Sequence, residues 1–561
     1  MFMNHEALLR IDGAIWSGLP AETARWSELR RTDPTAFIEA FERATAIRNN
    51  LAVVAACSGL RESGPLSTEH VMWLMRALTA HGQFDQAIEA CVPLGAGRAL
   101  PAKLLYELAV ALAGEGRFSE ALAAAAQALE LRPELGPAQG LRVRIEILQD
   151  LEKEGGPSGG WDQLRSRLDQ YLHLRAHRAA VAALEAFLET PLAEGAVQLD
   201  AAMAVAVAAI DLLPPDRSAR LLDKVRAQGV DDQAVAPLQG LLDAQQREIE
   251  GDWAGAAAQL GLLAGHADID SAVRSALARN VGRLVLQGSN AEFVTGGKRR
   301  IFNLMPFNDE FAMLRIRLKE MGPWVDQFVI VEARETFTGL PKPLWFELGK
   351  AEFAAFADKI VHIVIDAFPD GLGNAWARDF YQRDRAVDGL WGRCAPDDLV
   401  LLTDADEIVR KSAIDGFDGE IASLTMSRYM FFLNYRPKAD ARLKRPEGPT
   451  GAVLKARQLA ANGSSYLRFM FSRHRKDWCA LPNAGWHFMS AKSPTAIASK
   501  YRSYAHQEHE GPLWRDEVAL AKRLARIRGG QVRGGWERCE IDETFPEWIQ
   551  RRPEELDDLI L

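Results

Sequence analysis

The hexapeptide Gly82-Gln83-Phe84-Asp85-Gln86-Ala87 returns at an offset of 34 residues as Gly116-Arg117-Phe118-Ser119-Glu120-Ala121. A fixed offset of that size leaves few folds open. It is the length of one antiparallel helix pair, which cannot bury its apolar face alone and must stack on a neighbour. The residue types fit that geometry. Ala111 and Ala121 let two helices approach, Gly116 allows a tight turn, Phe118 fills the wedge between the helices, and Pro133 ends the pair. Gly251-Asp252-Trp253-Ala254-Gly255-Ala256 has the form of another such turn. From the start to about residue 290 the chain is rich in Ala and Leu at helical spacing, with few strand signals. A loop between helices is expected at Gly155 to Gly160.

Near Gln287 to Gly297 the composition changes, which marks a linker. Strand and helix patterns then alternate. Strands are expected at Arg300 to Phe307, Val325 to Val331, Ile360 to Ile365 and Leu399 to Leu402. Helices are expected at Glu310 to Met321, about Leu348 to Phe356 and Trp376 to Trp391. That alternation implies a mostly parallel sheet with right-handed crossovers. The first strand is not followed by Gly-x-Gly-x-x-Gly, which disfavours a dinucleotide-dependent dehydrogenase, and no Gly-x-x-x-x-Gly-Lys-Ser/Thr is present. The expected organisation is a helical repeat domain over 1–290, a linker over 291–299 and an α/β domain over 300–561, with a charged, helical tail from Leu513 packing back on the latter.

The run Asp398-Leu-Val-Leu-Leu-Thr-Asp-Ala-Asp-Glu407 carries the most chemistry. Asp404 and Asp406 follow a buried strand, where α/β sheets bind ligands. Carboxylates at i and i+2 of an extended segment point the same way. Together they make a hard oxygen site suited to Mg²⁺ or Mn²⁺, which can bridge the phosphates of a nucleotide-sugar. The bland alternative is that the acidic residues cap the next helix.

Composition narrows the partners. The formal net charge is −9 and no long Lys/Arg block offsets it, so a nucleic-acid partner is not expected. The clusters Arg473 to Lys476 and Arg523 to Arg533 are local. Five scattered cysteines with no Cys-x-x-Cys read as free thiols in a reducing compartment. The N-terminus lacks a signal-peptide pattern, and the most apolar stretch, Ala201 to Leu213, is too short to span a bilayer. A soluble cytoplasmic protein without a transmembrane segment is the expectation.

Two family resemblances follow from these motifs. Ala102 to Pro133, with Leu105, Leu108, Ala111, Gly116, Phe118, Ala121, Ala128 and Pro133, resembles the tetratricopeptide repeat. Such a solenoid implies a concave surface for an acceptor or protein partner, or a packing scaffold. The second half resembles glycosyltransferase family 17, a family with eukaryotic and bacterial members, through four ordered blocks. They are Phe307-Asn308-Asp309-Glu310-Phe311 running into Leu314 to Leu318, Phe328 to Ala333 with Thr336 to Leu344, Asp366 to Pro369 leading to Asp404-Ala405-Asp406-Glu407-Ile408, and Ala484-Gly485-Trp486-His487-Phe488. They span about 300–510 and leave out the repeats.

That resemblance implies a GT-A fold, an Mn²⁺ or Mg²⁺ ion at Asp404 and Asp406, and inverting transfer of N-acetylglucosamine or a related sugar. The donor implied is a UDP-sugar and the acceptor a glycan or protein. It also gives other residues roles. Asn308 and Glu310 would meet a uracil or ribose edge, although Asn308 is equally suited to capping a helix. Glu332 would meet ribose hydroxyls or pair with Arg334 or Lys342. Lys342, between two prolines, would reach a phosphate or simply stay solvated. His487 would complete the metal site or contact the diphosphate, or sit satisfied in the core. Trp486 would stack on a sugar or belong to the core, and Glu407 would orient the aspartates. One displacement needs one general base, sought among Asp477, Glu508 and Glu510. The competing reading is a non-catalytic tetratricopeptide scaffold with a degenerate nucleotide-sugar-binding domain. A metal-dependent phosphohydrolase would need more His and Asp ligands than these blocks supply.

Overall fold

The computed structural model describes residues 19–46, 50–62, 64–80, 82–95, 99–155, 160–191, 199–264, 270–289, 292–295, 297–438, 447–469, 480–505, 512–531 and 535–561. The chain divides into two compact units, Met1–Gln246 and Arg247–Leu561.

The first unit is helical throughout its described residues, from Leu19–Thr32 onward. The repeat seen in the sequence has a physical basis in how its helices end. Gly82 and Gly116 take positive φ of 71° and 82°. At each, the following amide reaches back five residues: Gln83 N donates to Leu78 O at 3.0 Å, and Arg117 N to Leu112 O at 2.8 Å. This is the Schellman closure, which satisfies end carbonyls and needs a residue without a Cβ penalty. Arg175 makes the same closure with φ 59°, Ala176 N donating to Tyr171 O at 2.8 Å, so the motif recurs where the sequence has no glycine to announce it. Gly114 leaves room for the Phe84 ring, since a Cβ there would come within 2.4 Å of it. Helix Phe118–Leu131 stops two residues before Pro133. Helix Gly136–Gly155 ends at the expected loop, of which 156–159 lie outside the described residues.

The second unit begins within the Ala-rich region. Gly251 has φ 80°, Asp252 Oδ1 accepts from Gly255 N at 2.9 Å, and helices Trp253–Leu263 and Asp270–Gln287 follow. The latter meets the Ser464–Phe469 helix at a glycine crossing, where a Cβ on Gly282 would lie 2.7 Å from Gly463 Cα. The segment expected as a linker is docked on this unit: Val294 N donates to Cys394 O at 2.9 Å and Phe293 meets Trp391 edge-on at 5.6 Å.

The strands are β1 Ile301–Pro306, β2 Gln327–Ala333, β3 Ile360–Ile365, β4 Leu399–Leu402, β5 Glu407–Val409, β6 Ile421–Met430, β7 Tyr435–Pro437, β8 Glu447–Lys455, β9 Ala480–Leu481, β10 Gly485–Met489 and β11 Trp536–Arg538. Among the described residues the main sheet has the order β3-β2-β1-β4-β8-β6-β10-β5, with β9 on β6. Strands β3, β2, β1 and β4 are parallel, as expected. The sheet is mostly parallel, as expected, with two reversed strands that make it mixed. Strand β8 runs antiparallel to both β4 and β6, and β5 antiparallel to β10. Because β8 opposes both its neighbours, β4, β6 and β10 share one direction. Six strands therefore end at one edge, and that edge carries the site.

The faces are closed by aromatic packing. Phe307 meets Phe311 at 5.6 Å and Phe346 at 6.1 Å, and Phe311 stacks on Phe353 at 6.3 Å. These rings fix the Phe311–Met321 helix, the Trp345–Gly349 helix and the Lys350–Lys359 turn on the sheet. The tail packs back as expected: Trp548 N donates to Glu320 Oε2 at 3.2 Å, and Leu561 N to Asn434 Oδ1 at 2.8 Å.

Candidate functional site

At the common strand edge a cleft of about 1530 Å³ opens, lined by residues from Pro306 to Ala505. Its floor is the acidic turn between β4 and β5. Glu407 Oε2 accepts from Asp404 N at 2.9 Å, and Glu407 N donates to Asp404 O at 3.0 Å. Phe488 N donates to Asp406 O at 2.9 Å. From beneath comes Arg317, fully buried on the Phe311–Met321 helix. Its Nη1 donates to Thr403 Oγ1 at 2.8 Å and to Asn303 Oδ1, and its Nη2 donates to Asp404 O and Glu407 O. Burial pulls the guanidinium down to about 10, against the opposing pull of Glu407, Asp406 and Asp404. A buried cation spent on main-chain carbonyls locks the turn and leaves the two aspartate side chains to the cleft.

Those side chains are surrounded by positive charge. Asp404 pairs with Arg383 and, at 3.0 Å, with Arg468, which also reaches Glu407 Oε1 at 2.7 Å. Arg383 in turn donates to Asp379 at 2.9 Å. Asp406 faces Lys500 Nζ at 3.3 Å and His487 Nε2 at 3.5 Å. Burial raises both carboxyls, yet Arg383 and Arg468 hold Asp404, and Lys500 and His487 hold Asp406, well below the ordinary range. Burial lowers both Lys500 and His487, but the neighbouring carboxylates raise them on balance: Asp406 first, with Glu310 and Asp404 for Lys500 and with Glu407 and Asp404 for His487. Lys492 bridges Asp309 and Glu310, meeting Glu310 Oε1 at 2.8 Å.

Asn308, Glu310, Lys342, Asp404, Asp406, Glu407 and His487 are brought together along the cleft. Asn308 does not cap the helix that follows, and its buried Oδ1 has no hydrogen-bond partner among the described residues. Burial lowers Lys342, whose Nζ lies 3.5 Å from Pro343 O.

Two expected ligands lie elsewhere. Glu332 is fully buried and accepts from Phe346 N and Glu347 N, both at 3.1 Å, and meets His362 Nε2 at 2.9 Å. It caps the Trp345–Gly349 helix and is paired with neither Arg334 nor Lys342. Trp486 is buried on the other face of β10 from His487, as alternation along a strand requires. Its Nε1 donates to Thr544 O at 3.0 Å and Arg410 stacks 4.2 Å from its ring. Asp477, Glu508 and Glu510 lie outside the described residues.

Arg317, Arg383, Arg468 and Lys500 were not singled out in the sequence. The faint signal was electrostatic, since a crowded acidic turn in a folded cleft demands counter-cations. Among the described residues no three His, Cys, Asp or Glu side chains form a ready-made metal cage. The donors present are nonetheless hard oxygens, and Mg²⁺-like ions are commonly held by one or two carboxylates plus substrate phosphates. Ser490, which lines the cleft, and the buried Phe431 follow adjacent strands β10 and β6 with φ of 53° and 69°. Non-glycine residues in that region store about 1–3 kcal/mol each and cluster at working sites.

Comparison with known proteins bears on this cleft. Residues 291–511 match the sequence model of glycosyltransferase family 17. These residues form a family 17 glycosyltransferase domain. The human β-1,4-mannosyl-glycoprotein 4-β-N-acetylglucosaminyltransferase is 29% identical over 293 residues, covering 46% of this chain and 51% of the relative. The rat enzyme of the same name is 28% identical over the same length and shares. The chain thus spans about half the length of the curated relatives it matches. The family 17 domain contains every residue lining the cleft, from Pro306 to Ala505. It leaves outside the first unit, helices Trp253–Leu263 and Asp270–Gln287, and the tail from 512. Among the described residues no helix is long and apolar enough to cross a membrane.

Proposed function

We propose that the chain is an inverting glycosyltransferase that passes N-acetylglucosamine or a related sugar from a UDP-sugar to a glycan or protein acceptor. One observation carries the reading: Asp404 and Asp406 stand at the carboxyl end of β4 with their side chains in a large cleft ringed by Arg383, Arg468, Lys500 and His487. That arrangement suits the diphosphate of a GT-A-type donor, and the relatives' names point to the same sugar. An Mn²⁺ or Mg²⁺ ion would be held by Asp404 and Asp406, with His487 beside them, and would supply Lewis-acid stabilisation of the departing diphosphate. Asn308, with its unpartnered Oδ1, and Glu310 would orient the nucleoside, and Lys342 a phosphate.

A base takes the acceptor hydroxyl proton as the acceptor oxygen attacks the anomeric carbon. Glu310, Asp379, Asp404 and Asp406 each hold a cation and are poorly placed to do this. The role is assigned to Asp477, with Glu508 and Glu510 as the other candidates. The first unit, as a tetratricopeptide-like solenoid, would present the acceptor or a protein partner. A cytoplasmic setting accords with that reading.

The test is release of UDP from UDP-N-acetylglucosamine with Mn²⁺, before and after chelation. Asp404→Asn should lower turnover at least about 100-fold, as loss of one preorganised electrostatic group does elsewhere, without unfolding the second unit. Unchanged turnover would overturn the assignment. Absence of nucleotide binding in the unmodified chain would favour the non-catalytic scaffold.

A further inference from the structure

Most cations of the cleft are matched. Arg383, Arg468 and Lys500 each hold a carboxylate, and Lys342 Nζ lies 3.5 Å from Pro343 O. The guanidinium of Arg428, which lines the cleft from β6, makes no hydrogen bond and no ion pair with the described residues. The carboxylate that acts on it electrostatically is Glu407, already spent on Asp404 N and Arg468. The fold makes room for this guanidinium. It lies across Gly448 of β8, where a Cβ would come within 2.1 Å of Arg428 Nη2. Register sets Arg428 beside His487, and His487 beside Glu407. His487 directs Nε2 to Asp406, and its buried Nδ1 has no hydrogen-bond partner among the described residues.

A half-buried guanidinium without an acceptor is costly unless an anion completes it, and its planar fork matches two oxygens of one phosphate. We propose that Arg428 grips the diphosphate of the nucleoside-diphosphate sugar, on the His487 side of the acidic turn, and stabilises it as it leaves. The inference rests on the donor reading above. As the bond between the anomeric carbon and the phosphate oxygen breaks, its electron pair stays on that oxygen. The new bond forms from the acceptor oxygen, whose proton passes to the base. Arg428 remains a cation throughout and donates N–H to oxygens whose negative charge grows.

The test uses the full chain with UDP and uridine as probes, measured by calorimetry in Mn²⁺. Arg428→Gln should weaken UDP about ten- to a hundred-fold, the loss expected for a charge-assisted hydrogen-bonded pair, and leave uridine affinity and the melting temperature unchanged. Gly448→Ala keeps the charge but displaces the guanidinium, and should weaken UDP in the same direction by less. In turnover, kcat should fall in Arg428→Gln. Unchanged UDP affinity, an equal loss for uridine, or a change confined to the acceptor KM would overturn the assignment. Failure of the unmodified chain to bind UDP at all would overturn the donor reading and this inference with it.

Discussion

Asp384 offers the sharpest test of how the cleft is held. It is 1% exposed, between the Ala375–Arg385 helix and the Ser464–Phe469 helix. Its Oδ1 accepts from Ser464 Oγ at 2.9 Å and Ser465 N at 2.7 Å, while Oδ2 has no partner among the described residues. Burial raises its carboxyl from 3.8 to about 7, moderated by those serines and by Arg383. At 1.36 kcal/mol for each pH unit, that rise corresponds to about 4 kcal/mol. The sign follows from linkage. Below pH 4 the carboxyl is protonated in both states and its stabilising contribution is complete. As pH climbs toward 7 the unfolded chain releases the proton first, so stability falls, and the loss levels off above 7. Asp384→Asn keeps the acceptor oxygen and cannot ionise. Its stability relative to the unmodified protein should therefore improve by about 4 kcal/mol between pH 4 and pH 8, or roughly 8 °C in the melting of the second unit. Comparing the two pH values cancels any fixed penalty from the new amide. Calorimetric melting of both proteins at both pH values measures it. An identical offset at pH 4 and pH 8 would refute the reasoning, because it would mean that Asp384 stays ionised in the fold.

Arg317→Met strips the donor from Glu407 O and Asn303 Oδ1, whereas Asp404 O keeps Glu407 N; at about 1–3 kcal/mol for each orphaned acceptor it should destabilise the second unit by about 2–6 kcal/mol, read by urea denaturation. A loss under about 1 kcal/mol would show that the turn holds itself. Glu332→Gln should cost about 1 kcal/mol through a weakened helix cap and leave UDP affinity unchanged; a selective loss of UDP binding would return Glu332 to the ribose. Gly282→Ala drives a methyl into Gly463 and should cost about 1–3 kcal/mol by overpacking, again read by urea denaturation, with no cost meaning that the two helices separate readily.

What the sequence made legible was local. The run Leu399 to Leu402 followed by Asp404 and Asp406 could be placed at a strand end and in a cleft because four apolar residues and two carboxylates constrain each other over ten positions. The Gly82 and Gly116 turns were legible for the same reason, as the closure is made within six residues. Strands β6 and β8 were missed. Their pairing joins residues whose sequence patterns are weak, and it inserts one reversed strand, β8, between β4 and β6. Trp486 and His487 show the limit at single-residue scale. They are adjacent in one strong block, yet alternation sends one to the core and the other to the cleft, and only the neighbouring strands decide which. The cations were hidden for a further reason. Arg383, Arg468 and Lys500 come from three helices far apart in the chain, and each looks like an ordinary solvated residue until the fold brings it to the acidic turn. The carboxylates can be read from sequence because their spacing is local, whereas their counter-charges are set by tertiary structure. That division explains why Arg428, a cation of the cleft whose guanidinium has no hydrogen-bonded partner among the described residues, becomes visible only after the others have been matched to theirs.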